Sequence, residues 1–333
     1  MRQYAVRRLL IAIPVLILVT LMAASLTRLA PGDAILQRVA EAEAIVTLEE
    51  LEALRHEVGL DRPFLVAVDA DFPFIHPSEG SQYFSWVGGI FKGDLGTSLS
   101  ADQRPIADIL KRAIPVSLEL AIIATLISLF VAIPIGIWSA IRQDSVGDYG
   151  GRIFAIAGLS VPDFIIGMLV LTLGAIWFKW TPPLFYESFF DNPRQNLLIM
   201  ATPALIVGFR LSSITARMLR SSMLEVLRQD YVRTAWSKGL RERTVITRHA
   251  MKNAFIPVIT ILGAQLGFLV GGVAITETIF NLPGVGRGTI NAIGRRDLPL
   301  IQTAVLFFGV SIILINLLVD LSYAWLDPRI RYS

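Results

Sequence analysis

The chain has 333 residues, of which 54% are hydrophobic and only 17% charged; its net charge is +3 and its mean hydropathy +0.61. Soluble domains carry about 45–50% apolar and about 25% charged residues, so the composition argues against a soluble single domain and excludes a disordered chain. Cysteine is absent, which removes disulfides, thiol catalysis and thiolate metal sites, and His56, His76 and His249 lie too far apart in sequence to give a ligand spacing.

A helix needs about 20 apolar residues to cross a hydrocarbon core of about 30 Å. Six stretches qualify, which predicts an all-α, polytopic membrane protein. The first, Leu9–Thr27, follows Arg2, Arg7 and Arg8. It exceeds the apolar core of a signal peptide, about 7–15 residues, and no small-residue cleavage site follows, so it reads as a retained helix closing an N-terminal region 1–29. Residues 30–115 form a long segment between the first two spans. Within it Thr47 and Glu50 fit a capping box, Leu48, Leu51 and Leu54 repeat at helical spacing, and Gly59 is placed to stop that helix. Pro-rich, aromatic sequence runs from Arg62 to Tyr83, and Gly93–Gly96 predicts a turn. Residues 116–326 carry the other five spans: Leu120–Ile141, Ile153–Phe178 with Asp163 inside, Leu197–Ala216 with Arg210 inside, Ala254–Thr276, and Pro299–Leu326 with Asp320 near its end. A short tail, 327–333, completes the chain.

Lys and Arg concentrate on the cytoplasmic side of spans. With both termini inside, segments 1–8, 142–152, 217–253 and 327–333 hold three, two, nine and two basic residues, sixteen of the thirty. The short outer loops 179–196 and 277–298 hold two and three. That bias predicts cytoplasmic termini and an external 30–115 segment rich in α-helix.

The segment Arg217–Lys252 sets nine basic residues against Glu225, Asp230 and Glu242. Two helices are expected, Ser222–Lys238 and Arg241–Asn253, divided by Gly239. A loop that merely joins two spans needs far fewer residues, so this one is expected to contact a cytoplasmic partner; electrostatic attraction to anionic lipid is the plainer alternative. Motifs for autonomous chemistry are missing. There is no Gly-Lys dipeptide and hence no phosphate-binding P-loop, and Gly284-Val285-Gly286-Arg287-Gly288 has the wrong spacing for a dinucleotide fingerprint. Uphill movement would therefore draw on another subunit's ATPase or on an ion gradient.

Polar groups inside spans mark candidate functional positions, because a charge at the bilayer centre costs about 2.5–3.5 kcal/mol on insertion scales. Glu119 and Asp163 lie near span ends, where hydrated structural roles are expected. Arg210 is placed to snorkel, and Asn316 and Asp320 to bind neighbouring helices. Gly263, Gly267 and Gly271 form a small-residue ridge suited to a helix interface.

Tyr231–Leu240 (YVRTAWSKGL), continued by His249–Pro257 (HAMKNAFIP), resembles the cytoplasmic loop of binding-protein-dependent ABC importer permeases. The B-type permeases of the dipeptide, oligopeptide and nickel importers are especially similar. Further matching segments, in order, are Ala30–Asp33, Gly59–Pro63, Gly93–Gly96, Ser117–Leu120, Val161–Phe164, Glu277–Gly286 and Asp327–Tyr332. Two departures stand out: Arg233-Thr234-Ala235 replaces the usual Glu-Ala-Ala, and Val66–Ser81 reads as an insertion. The resemblance implies the type I ABC importer permease fold with six transmembrane helices in a prokaryotic plasma membrane. It implies half of a heterodimeric pore for peptides, beside a second homologous permease, above two cytoplasmic ATPases that hold ATP and Mg, and below an extracytoplasmic binding protein. No cofactor on this chain and no nucleic-acid partner are implied. Nickel chelates or oligosaccharides remain alternative cargoes, and an ion-coupled secondary transporter a rival class. The resemblance assigns ATPase coupling to Arg233, Thr234, Ala235, Lys238, Gly239, Leu240 and Arg241. In this reading Ala235 offers a small face for close approach by the motor. Glu277 and Asn281 join Glu119, Asp163 and Arg210 as possible pore or gate residues.

Overall fold

The computed structural model describes residues 2–29, 35, 36, 39, 47–57, 61–65, 81–100, 102–183 and 185–326. Gly59, residues 66–80 of the insertion and the 327–333 tail lie outside the described residues. Helices carry the fold: α1 (Arg2–Leu29), α2 (Leu48–Glu57), α3 (Gln82–Lys92), α4 (Ile106–Ile141), α5 (Val146–Ser160), α6 (Asp163–Phe178), α7 (Pro193–Leu227), α8 (Asp230–Ser237), α9 (Met251–Gly272), α10 (Ala274–Ile279), α11 (Val285–Arg295) and α12 (Leu298–Leu326). Between α8 and α9 stand a single turn, Glu242–Thr244, and a π-helical stretch, Val245–Ala250, with Met251 N–H bonded to Ile246 O five residues back. Among the described residues the β-structure is one isolated bridge, Thr97 with Pro105.

Among the described residues four helical runs are long and apolar enough to cross a membrane: α4, α7, Glu242–Gly271 and Leu298–Tyr323. The pair α5 and α6 makes a fifth, bent by 92°, and Leu10–Ser25 within α1 is a shorter apolar helix. The expected third span, Ile153–Phe178, is thus corrected: it starts at Val146 and breaks at Val161–Pro162. A proline pushes the residue before it out of helical geometry, and Val161 is extended (φ −110°, ψ 122°). Asp163 therefore opens a new helix at the break in the pair.

The chain divides into two compact units, one of Met1–Arg8, Pro115–Gly286 and Ser311–Ser333, the other of Leu9–Ile114 and Arg287–Val310. In the second unit the capping box forms as expected, with Thr47 N–H donating to Glu50 Oε2 at 2.7 Å and Glu50 N–H to Thr47 Oγ1 at 3.3 Å. These bonds hold the Glu50 carboxyl below its usual pKa. Ser81 caps α3 through Phe84 N–H, and left-handed Gly93 (φ 80°) ends it where the turn was expected. Buried Asp297 accepts Leu99 N–H at 3.0 Å, Leu300 N–H at 3.4 Å and the Ser98 hydroxyl, joining the turn after α3 to the start of α12.

In the first unit α7 packs against both α5 and α9. Asn192 caps it through Gln195 N–H, and Pro193 at its first position costs no hydrogen bond. Over its apolar window 56% is buried, against 6% for α12, so α7 is the helix the core is built on. Met200, Ala204, Val207 and Leu211 meet Leu120, Ala124, Leu269 and Phe280, while Leu219 and Met223 meet Ala140, Ala250, Ala254 and Val258. The glycine ridge faces a helix, as expected: a Cβ on Gly263 would lie 2.2 Å from Val319 Cγ2, and one on Gly267 3.6 Å from Ile312 Cγ1. Asp320 binds the neighbouring helix through Arg8 Nε at 3.0 Å.

Candidate functional site

The segment expected as one helix, Ser222–Lys238, is two. α7 continues to Leu227 and α8 begins afresh at Asp230. This short helix is two-faced. Val232 and Ala235 point inward and form a small buried cluster with Val245 against Val226 and Leu227. Tyr231, Arg233, Trp236 and Lys238 are exposed. Ala235 is 5% exposed, which corrects the expectation of a small outward face: its size serves packing within the chain. Thr234 Oγ1 donates to Asp230 O at 2.9 Å, Arg233 Nη1 lies 3.6 Å from Asp230 Oδ1, and Tyr231 Oη accepts from Asn253 Nδ2 at 2.7 Å. Gly239 is left-handed (φ 73°) with nothing within 4 Å of an added Cβ, so backbone geometry rather than space requires glycine there. Leu240 and Arg241 follow on the surface. Sequence reasoning passed over Trp236 and Tyr231; the available signal was an aromatic pair inside an otherwise basic and polar segment.

A second constellation was missed entirely. Asp148, fully buried at the start of α5, accepts Arg220 Nε at 2.6 Å and Nη2 at 2.8 Å from α7. Arg152 Nη2 adds a third bond at 2.6 Å and reaches Asp144 at 2.9 Å, and Asp144 N–H a fourth to Asp148 at 3.0 Å. This paired, bidentate arrangement locks α5 to the end of α7 that leads into α8.

The candidate pore residues fall into three groups. Asp163 and Arg210 come together, Oδ2 to Nη1 at 3.5 Å, and the guanidinium lies 5.6 Å from the centre of the Phe268 ring. Arg210 is thus paired across helices rather than snorkelling alone. Glu119 Oε2 accepts the Tyr186 hydroxyl at 2.8 Å, next to buried Asn196. Burial first, and then the bond to Glu119, push the Tyr186 phenol well above its usual pKa. Glu277 is 1% exposed and accepts the Ser117 hydroxyl at 2.6 Å, while Ser117 Oγ accepts Val285 N–H at 2.9 Å. The carboxylate therefore fastens the turn between α10 and α11 to α4. Asn281, left-handed at φ 56°, shapes the same turn.

The family model described as "binding-protein-dependent transport system inner membrane component" matches residues 132–332. Over the whole of both chains the protein is 36% identical to a putative peptide permease protein of Brucella ovis. It is 37% identical to the dipeptide transport system permease protein DppB of Alkalihalophilus pseudofirmus and 35% to that of Escherichia coli K12, again end to end. With its apolar helices and a family match over more than half of its length, this chain belongs to the inner membrane components of binding-protein-dependent transport systems.

Proposed function

We propose that the chain forms one half of a peptide-conducting pore in a prokaryotic plasma membrane, both termini cytoplasmic, beside a second permease of the same family. Two cytoplasmic ATPases carry ATP and Mg and dock on Arg217–Lys252, and an extracytoplasmic binding protein delivers the peptide to the opposite face. The observation that carries this reading is α8: a helix seated on its own chain by Val232 and Ala235, presenting Tyr231, Arg233, Trp236 and Lys238 outward to a partner. The end-to-end relatives named as peptide and dipeptide permeases support the cargo. Asp163 and Arg210 line the path, Glu119 with Tyr186 stands near its outer mouth, and Glu277 and Asn281 hold the turn beside it.

The test is reconstitution. The complete importer, in liposomes with ATP outside with its ATPases, is expected to move dipeptides from the binding-protein side of the membrane, and complexes lacking this chain to move none. ATP-independent uptake driven by a proton or sodium gradient would favour a secondary transporter. Orientation has a separate check. Asp102→Cys and Ser237→Cys, both exposed in this cysteine-free chain, are expected to react with an impermeant thiol reagent from opposite faces, Asp102→Cys alone in intact cells.

A further inference from the structure

Two ion pairs in the first unit invite comparison. Asp148 and Arg220 meet through two short bonds with the carboxylate sealed in protein. Asp163 and Arg210 share a single contact of 3.5 Å, with side chains 18% and 38% exposed. A contact that long and that open holds helices together poorly. An ionised residue within a span also avoids lipid tails and faces a bundle interior or a water-filled path. Arginine has five N–H donors. Among the described residues Arg210 spends one on Asp163, and Phe268 covers a face of the guanidinium. Asp163 turns its other oxygen to Phe164 N–H at 3.0 Å, at the first turn beyond the 92° break. The arrangement is that of a cation with donors to offer and a counter-ion it can leave.

We propose that Arg210 receives the carboxylate of a peptide in transit and returns to Asp163 between passages, with Phe268 limiting where the guanidinium can swing. This rests on the reading of the chain as a peptide permease. A guanidinium fits a carboxylate better than an ammonium does, through two parallel N–H bonds, and the weak resting pair makes the exchange inexpensive. No bond is made or broken; one charge partner replaces another.

The test uses the complete importer in liposomes, supplied with its binding protein and an equimolar mixture of X-Ala dipeptides, with imported peptide identified by mass spectrometry and ATP hydrolysis followed in parallel. Arg210→Gln is expected to lower import by about tenfold or more, the loss of one charge-assisted contact, while ATP hydrolysis still responds to loaded binding protein. Arg210→Lys is expected to retain an intermediate rate. Import by Arg210→Gln equal to wild type overturns the proposal and leaves the peptide reading intact. Loss of assembled complex in Arg210→Gln, or full import in Asp163→Arg/Arg210→Asp, overturns it in favour of a pair that only joins α6 to α7. Failure of the wild-type complex to import any dipeptide defeats the peptide reading itself.

Discussion

Asp148→Ala is expected to destabilise the chain by about 3 kcal/mol, because removing one partner of a buried ion pair leaves the other uncompensated. Asp148 accepts four hydrogen bonds from Arg220, Arg152 and Asp144 N–H, so its loss takes from Arg220 its carboxylate partner and leaves Arg152 with Asp144 at 2.9 Å. The figure sits at the low end for buried pairs because the Arg220 side chain keeps 20% of its exposure and can gather water. Arg220→Ala is expected to be no milder, since it leaves a fully inaccessible carboxylate with Arg152 as its remaining cation. Asp148→Leu combined with Arg220→Met is expected to recover most of the stability, as apolar replacements of buried pairs often do. The measurement is the melting temperature of the purified complex in detergent. Wild-type melting of Asp148→Ala would mean that the cluster is ordinary surface electrostatics.

The largest functional effect is expected at Gly239. A β-branched side chain at φ 73° is strained by about 1–2 kcal/mol, and with open space around it the backbone alone must give way. In Gly239→Val the turn that closes α8 is expected to reset, displacing Lys238, Leu240 and Arg241 from the surface they present. The assembled importer is then expected to stay in the membrane and hydrolyse ATP at its basal rate, without stimulation by loaded binding protein. Gly239→Asn, whose side chain tolerates left-handed geometry, is expected to keep stimulation. Equal loss in both variants would show that glycine serves something other than φ. Ala235→Glu is a poorer probe, because it drives a charge into the cluster with Val232 and Val245 and disturbs α8 itself.

What was legible in the sequence follows from which signals are local. The Thr47–Glu50 box, the turn at Gly93, the helix break at Gly239 and the Gly263 ridge each depend on a few adjacent residues or one helical period, and all appear as expected. Hydropathy located the apolar helices but was blind to the bend at Val161–Pro162, since the apolar stretch Ile153–Phe178 runs through it. The Asp163–Arg210 pair was beyond reach because its members lie 47 positions apart. Asp148 was missed for a related reason: near a span end a lone acid reads as hydrated, and only the fold reveals that Arg220 covers it. The facing of α8 failed at Ala235 because eight residues make too short a period to say which side another part of the chain will claim.

The π-helical stretch Val245–Ala250 gives the end of α9 next to α8 a property that neither helix has alone. Its ladder runs one residue out of step with the α-helix that follows. Slipping into α-register would turn everything on one side of the stretch by about 100° and advance it by about 1.5 Å relative to the other. Phe268 and Gln265 ride on the far side, α8 on the near one. The stretch is thus a screw thread one step long, through which a push along the axis and a twist about it become the same motion.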